Sequence, residues 1–166
     1  MELDMRHFAV KTRILLTLIP VLLIMGMIFF FSAQSGEKSG QMSGSVTQWI
    51  LEHTVHDFQS MSAAQQAQLY STVGLVIRKL AHFSEFSLLG FFLMLHIRQI
   101  RMRIAIRSPW LWAWTIGTLY AATDELHQMF VGGRGPAVTD VLIDSCGVVF
   151  GIVMLLIACR ARERKG

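Results

Sequence analysis

A dense group of polar side chains lies in one short stretch of the chain, residues 123–144. Its members are Asp124, Glu125, His127, Gln128, Arg134, Asp140 and Asp144. Strongly apolar runs flank the stretch, LWAWTIGTLYAA before it and CGVVFGIVMLLIAC after it. Because charges beside membrane-grade apolar runs are costly, such groups usually face a protein interior and serve a function. The stretch therefore predicts two helices that meet at a short turn on one membrane face.

A second polar group lies in the segment 73–97, VGLVIRKLAHFSEFSLLGFFLMLHI. Arg78, His82 and Glu85 are separated by four and three residues, so they share one helix face. Lys79 adds a second cation beside them.

The same spacing argument applies to the two later helices. Asp124 and Gln128 share a face, and Asp140 and Asp144 lie one turn apart. Glu125 points about 100° away from Asp124 on the same helix, so it is expected to serve a different neighbour.

Several kinds of chemistry fit this set of residues. His82 with Glu85 and Asp124 is suited to general acid–base catalysis, and imidazole with carboxylates is also suited to a divalent metal. The cations are suited to holding a phosphate or a carboxylate; they are Arg78, Lys79 and Arg134. A structural role, in which buried charges pair with one another and fix helix register, fits as well.

Composition places the chain in a membrane. Of its 166 residues 53% are hydrophobic and 16% are charged, whereas soluble domains have about 25% charged residues. The net charge of +4 comes without a soluble basic patch interleaved with aromatics, so nucleic acid is not an expected partner. The length suits one domain.

The predicted fold class is all-α, a polytopic membrane protein in a single domain over residues 1–166. Four transmembrane helices are expected, at about residues 14–31, 73–97, 110–130 and 138–159. A cleavable signal peptide is the rival interpretation of the first run. That run is long for a signal peptide, and FSAQS offers no small-x-small cleavage site, so a retained span is favoured.

Between the first and second spans the sequence predicts a short helical segment at the membrane interface. Val46, Trp49, Ile50 and His53 recur at helical spacing. Ser62 and Gln65 match a capping box, which predicts that another helix begins there.

Basic residues indicate the orientation. If the N-terminus, the segment 98–108 and the tail share one side, that side carries every Lys and Arg except Lys38, Arg78, Lys79 and Arg134. The positive-inside rule then makes both termini cytoplasmic, in the bacterial cytoplasmic membrane. Helix rise places the polar groups of three spans in the same outer third of the bilayer. We expect one pocket open to the outer face.

Three sequence blocks resemble the VanZ-like family of bacterial membrane proteins. They are FSAQSGEKS, RKLAHFSEF and DELHQMFVGGRGPAVTDVLIDSCGVVFG, in the expected order and spread over most of the chain. The family pattern carries over to Gln34, Ser35, Arg78, Lys79, His82, Glu85, Asp124, Glu125, Gln128, Arg134, Asp140 and Gly147. This sequence departs from it at Asp144, often Asn, at Gly132, often Pro, and at Phe86, often Tyr.

The resemblance implies a cell-envelope protein, since the name-giving member is linked to reduced sensitivity to teicoplanin. We therefore expect the pocket to bind or modify an amphiphilic or lipid-linked envelope molecule, such as an undecaprenyl carrier or a lipoglycopeptide. A non-catalytic envelope scaffold and a small proton-coupled transporter are the alternatives.

In this hypothesis His82, Glu85 and Asp124 carry the acid–base or metal-holding roles. Substrate binding falls to Gln34, Arg78, Lys79, Glu125, Gln128, Arg134 and Asp140. The hypothesis leaves the identity of any metal or cofactor open.

Overall fold

The described part of the computed structural model, residues 2–101, 104–135 and 137–164, is entirely helical. Its α-helices are α1 Glu2–Ser32, α2 Gly36–Thr54, α3 Ala63–Ile100, α4 Pro109–Gln128 and α5 Val138–Glu163, with a 3-10 turn at Phe58–Ser60. The all-α prediction is confirmed for these residues. Arg103 and Lys165, which contribute to the predicted orientation, lie outside them.

Within the described residues, three helices are long and apolar enough to cross a membrane: Lys11–Ser32 of α1, all of α3 and all of α5. The chain is therefore a multi-pass membrane protein embedded in a lipid bilayer. The predicted third span, α4, is not among the three. Its three tryptophans and the polar residues of its last turns, Asp124, Glu125 and Gln128, lower its mean hydropathy.

Glycines bring α3 and α5 into backbone contact. A Cβ on Gly147 would lie 2.6 Å from the Phe83 carbonyl oxygen, and one on Gly151 would lie 1.8 Å from that of Ser87. Gly90 of α3 meets the Val148 backbone in the same way. Small residues allow such close approach in membrane bundles, where dispersion contacts replace the hydrophobic effect. Gly151 lies one turn after Gly147, and its contact Ser87 lies one turn after Phe83, so α3 and α5 run parallel.

The first helix packs into the bundle. Ile28 of α1 belongs to one buried apolar cluster with Phe86 and Leu89 of α3 and Val148 of α5. The Tyr120 hydroxyl of α4 also donates a 2.6 Å hydrogen bond to the Met25 carbonyl of α1. These contacts make α1 part of the folded helix bundle.

The segment between the first two spans differs from the prediction. α2 already begins at Gly36, where the Ser35 hydroxyl accepts a hydrogen bond from the Lys38 N–H as an N-cap. The Gly/Ser-rich residues that follow are thus helical, because capping and tertiary contact outweigh their weak helix propensity. The capping box of Ser62 and Gln65 at the start of α3 is confirmed.

Together α2 and the first part of α3 form an antiparallel helical hairpin. Thr47 of α2 lies against Gly74 of α3, and Gly44 lies against Tyr70. Lys79 reaches the first turn of α5, so residues 63–78 of α3 extend about 24 Å past that end of the bundle. We call the end at which α1 and α4 finish the Arg134 end, and the other end the His96 end.

Candidate functional site

A buried hydrogen-bond network joins α1 to α4 at the Arg134 end. Ser32 Oγ donates to Asp124 Oδ2 over 2.8 Å, and Gln128 Nε2 donates to the same oxygen over 2.9 Å. Ser32 is fully buried and Asp124 is only 4% exposed. The predicted shared face of Asp124 and Gln128 is confirmed, and it points at the last turn of α1.

Arg134, on the turn between α4 and α5, forms hydrogen bonds with this network from its outer side. Its guanidinium donates to Gln128 Oε1 over 2.9 Å and to the carbonyls of Gln34, over 3.0 Å, and Phe31, over 3.2 Å. The Phe31 carbonyl lies in the last turn of α1 and the Gln34 carbonyl in the link that follows, where helix geometry leaves acceptor capacity for other donors. Burial lowers the pKa of Arg134 and the charge of Asp124 opposes that shift, but arginine remains a cation. Within the described residues no carboxylate forms an ion pair with it.

Glu125 and Asp140 hold the start of α5. Glu125 Oε1 accepts a 2.5 Å hydrogen bond from the Ala137 N–H, the N-cap residue of α5. This confirms that Glu125 serves a different neighbour from Asp124. Asp140, in the first turn of α5, forms an ion pair with Lys79 of α3. The α3, α4 and α5 helices are therefore tied together around one point.

Cavities surround His82 on three sides. The first is a groove of about 280 Å³, and Arg78, His82 and Glu85 all line it, which confirms their shared helix face. Arg134 lines the same groove. Its remaining wall is mostly apolar, and α1, α2 and α3 supply it; the residues include Phe31, Met42, Val46, Ile77 and Ala81.

The second cavity is a polar mouth of about 210 Å³ at the turn between α4 and α5. Arg78, Lys79 and Arg134 line it together with His82 and Asp140. All three cations predicted to hold a head group therefore border one space.

The third cavity lies deeper, between α3, α4 and α5. It is small: the centre of a water molecule can move within about 20 Å³ of it. His82, Glu125, Gln128 and Asp144 are among its lining residues. Asp144 is only 3% exposed, and its Oδ1 has no hydrogen-bond partner among the described residues. His82 Nδ1 is likewise buried without a partner there. Buried polar atoms are rarely left unpaired, so an occupant of this cavity would satisfy them.

A family model described as VanZ/LLP1 matches residues 17–159. The chain belongs to the VanZ/LLP1 family. The match runs from α1 to the last turns of α5, so it includes every residue that lines the three cavities. Comparison with curated proteins and with solved structures found no match. Family membership agrees with the resemblance carried by the three sequence blocks.

Two residues of the predicted site lie apart from the cavities. The Gln34 side chain, in the link between α1 and α2, donates to the Phe30 carbonyl of α1, so only the Gln34 backbone carbonyl reaches Arg134. Asp124 lines none of the three cavities, because Ser32 and Gln128 enclose it. Within the described residues, no group of three or more His, Cys, Asp or Glu side chains is arranged to hold a metal ion.

The wall supplied by α2 was not predicted. Ser39, Met42, Ser43 and Val46 line the groove from that helix. Their spacing of three and four residues is a helical signal, but the surrounding Gly and Ser residues concealed it. Asp144 could have been predicted to line the site, because it lies one helical turn after Asp140.

Proposed function

We propose that this VanZ/LLP1 protein binds an amphiphilic or lipid-linked molecule of the bacterial envelope by a phosphate or carboxylate of its head group, in the pocket around His82. One observation carries the proposal. Arg78 and Arg134 both line the mouth and the groove, and neither forms an ion pair with a carboxylate among the described residues. Two guanidinium groups that face one space without an ion-pair partner are suited to a phosphate or a carboxylate.

The groove supports an amphiphile over a fully polar anion. Its cationic end continues into a wall that contains Phe31, Met42 and Val46. Met42 is 50% exposed and Val46 is 49% exposed, so this wall is open at its edge. A head group at the arginines with a hydrocarbon tail along the groove would cover both kinds of surface.

The proposal includes a topology. We infer that α4 forms a fourth span in a single membrane domain, because it packs against α1, α3 and α5 within the bundle. Four crossings place both termini on the same side, and the basic residues favour the cytoplasm, with the pocket facing outward from the cytoplasmic membrane. An outward pocket is where a glycopeptide such as teicoplanin, or its lipid-linked target, would be met.

Binding has better support than catalysis. Asp124 Oδ2 already accepts hydrogen bonds from Ser32 and Gln128, Asp124 Oδ1 is buried without a partner among the described residues, and no acid there is hydrogen-bonded to His82. An acid–base role would thus fall to His82 with Glu85 alone, across the groove that both line. A proton-coupled transporter has the least support, because the buried cluster farther along α3, with Leu89 and Leu93, is apolar.

The test compares two arginines of the same helix. Arg78 has no partner among the described residues, whereas Arg98 at the His96 end donates to Cys159 Sγ. We expect Arg78→Ala to weaken binding of an added anionic lipid about tenfold, the equivalent of one charge-assisted hydrogen bond. Arg98→Ala should retain wild-type binding. Native mass spectrometry of the purified protein with phosphatidylglycerol gives the occupancy.

Cells that express these variants at equal level provide the second readout. Arg78→Ala should reduce any protection against teicoplanin, and Arg98→Ala should preserve it. Equal lipid occupancy for wild type and both variants would refute the proposed function.

A further inference from the structure

Apart from the Lys79–Asp140 ion pair, which lines both the mouth and the deep cavity, the charges around His82 are separated by position. Arg78 and Arg134 border the mouth and form no ion pair among the described residues, while the carboxylates of Glu125 and Asp144 border the deep cavity. We propose that the ligand's head group is zwitterionic, with a phosphate in the mouth and a primary ammonium in the deep cavity against Asp144. This inference rests on the proposed function and names the class of head group that the site takes.

The inference depends on Asp144, a buried carboxylate with an unpartnered oxygen. It is 3% exposed, it lines the deep cavity, and its Oδ1 has no partner among the described residues. Other acids near the cavity have donors: Asp140 has Lys79 and Glu125 has the Ala137 N–H. A purely anionic head group would leave Asp144 unsatisfied and would bring like charge toward it. An ammonium supplies both the hydrogen-bond donor and the opposite charge.

The size of the cavity restricts the cation. A volume of about 20 Å³ for the centre of a water molecule suffices for about one water-sized group. A primary ammonium has that size and carries three donors. A trimethylammonium is larger and has no N–H to donate to Asp144 or to its neighbours. The cavity therefore favours a primary amine over a quaternary one.

The mouth and the deep cavity adjoin. Lys79, His82, Gln128 and Asp140 line both of them. A short head group, in which a two-carbon link joins the phosphate to the ammonium, can therefore reach both spaces at once. The tail then leaves by the groove, which shares Arg78, His82 and Arg134 with the mouth.

The experiment first compares ligands on the wild-type protein. Phosphatidylethanolamine, phosphatidylglycerol and phosphatidylcholine with identical acyl chains share the phosphate and the tail but differ in the group beyond the phosphate. Native mass spectrometry of the purified protein in detergent measures occupancy for each. We expect phosphatidylethanolamine to bind about tenfold more tightly than either other lipid, the equivalent of one charge-assisted hydrogen bond. Equal binding of the three overturns the inference without requiring any variant.

Variants then locate the discrimination. Asp144→Asn keeps the shape but removes the charge, and it should lower phosphatidylethanolamine binding to the level of phosphatidylglycerol. Ser145→Ala is the matched control on α5, because Ser145 bonds to Trp114 and Thr118 outside the cavities. It should keep the wild-type preference. A preference that survives Asp144→Asn also overturns the inference.

The two proposals fail separately. Arg78→Ala should weaken all three lipids alike, because each carries a phosphate. Loss of binding in Arg78→Ala without any headgroup preference in wild type would keep the proposed function and reject the zwitterion. The last measurement adds soluble phosphoethanolamine as a competitor of the lipid. Competition by it at concentrations similar to those of the lipid would assign the ligand to a free metabolite rather than to a lipid.

Discussion

The two ends of the helix bundle use polar residues differently. At the His96 end, Thr17 Oγ1 lies 3.0 Å from His96 Nδ1 and 3.0 Å from the Arg13 and Ile14 carbonyls, and Arg98 donates to Cys159, so these polar atoms have protein partners on their own or a neighbouring helix. At the Arg134 end, the Asp124 network joins α1, α4 and the α4–α5 turn, and buried atoms of Asp144 and His82 have no partner among the described residues.

This difference separates polar groups that hold helices together from polar groups that face a ligand space. A pair that closes on itself leaves no acceptor or donor for a ligand, whereas an unsatisfied buried atom beside a cavity does. Both ends of the bundle contain histidine, arginine and hydroxyl groups, so residue type alone does not distinguish them. Substitutions at each end test whether the ends differ in energy as they do in geometry.

Gly90, Gly147 and Gly151, which bring α3 and α5 into backbone contact, form a glycine seam between the two ends of the bundle. The largest effect is expected there. Gly151→Ala places a Cβ 1.8 Å from the Ser87 carbonyl oxygen, and backbone on both helices must move to relieve the clash. We expect a loss of about 3 kcal/mol in the free energy of unfolding, at the upper end for overpacking. Thermal unfolding in detergent measures it.

The control for the seam is Gly26→Ala in α1, where an added Cβ meets nothing within 4 Å. Alanine is a better helix former than glycine, so this change should raise the midpoint of thermal unfolding slightly. Equal destabilisation by the two substitutions would show that the seam is not close-packed.

The next effect belongs to Arg134. Arg134→Ala removes the guanidinium donors to Gln128 and to the carbonyls of Gln34 and Phe31. Hydrogen bonds to a charged donor contribute about 1.5–3 kcal/mol each but are not additive, so we expect a total loss of about 3 kcal/mol or less. At the His96 end, Arg98→Ala should lose under about 1 kcal/mol, since it breaks one bond to a weak sulfur acceptor. Similar losses for the two arginines would contradict the contrast between the ends.

Periodicity was sufficient to predict several parts of this fold. The shared faces of Arg78, His82 and Glu85 and of Asp124 and Gln128 follow from helix geometry alone, and both are confirmed. The charge and hydropathy of the flanking runs likewise predicted a multi-pass membrane protein. These properties depend on residues close together in the chain.

Other features depend on contacts between distant residues, which periodicity does not contain. The groove wall from α2 requires the α2–α3 hairpin, and that hairpin forms because Gly44 and Thr47 fit against Tyr70 and Gly74. The enclosure of Asp124 depends on Ser32, 92 residues away. The mean hydropathy of α4 is too low to identify it as a span by itself, so its assignment as a fourth span depends on its packing against α1, α3 and α5.

A smaller effect is expected from the hydroxyl partners at the two ends. Ser32→Ala leaves the buried Asp124 carboxylate with Gln128 as its remaining donor, so we expect a loss of about 1.5 kcal/mol. Thr17→Val removes the contact with His96 but keeps the side-chain shape, and should lose about 0.5 kcal/mol. Unfolding midpoints of the two variants, measured side by side, give the comparison. A larger loss for Thr17→Val would reverse the proposed ranking of the ends.

The smallest effect is expected from the ion pair of Lys79 and Asp140. Their side chains are 33% and 36% exposed, and ion pairs that remain in contact with water contribute about 0.2–1 kcal/mol. A double-mutant cycle with Lys79→Met and Asp140→Asn should therefore give a coupling of about 0.5 kcal/mol, reduced further by salt. Both residues nevertheless line the mouth and the deep cavity, so lipid binding should respond more strongly than stability does. A coupling above about 2 kcal/mol with unchanged lipid binding would make this pair a helix clamp, and the Arg134 end would then resemble the His96 end more than its cavities indicate.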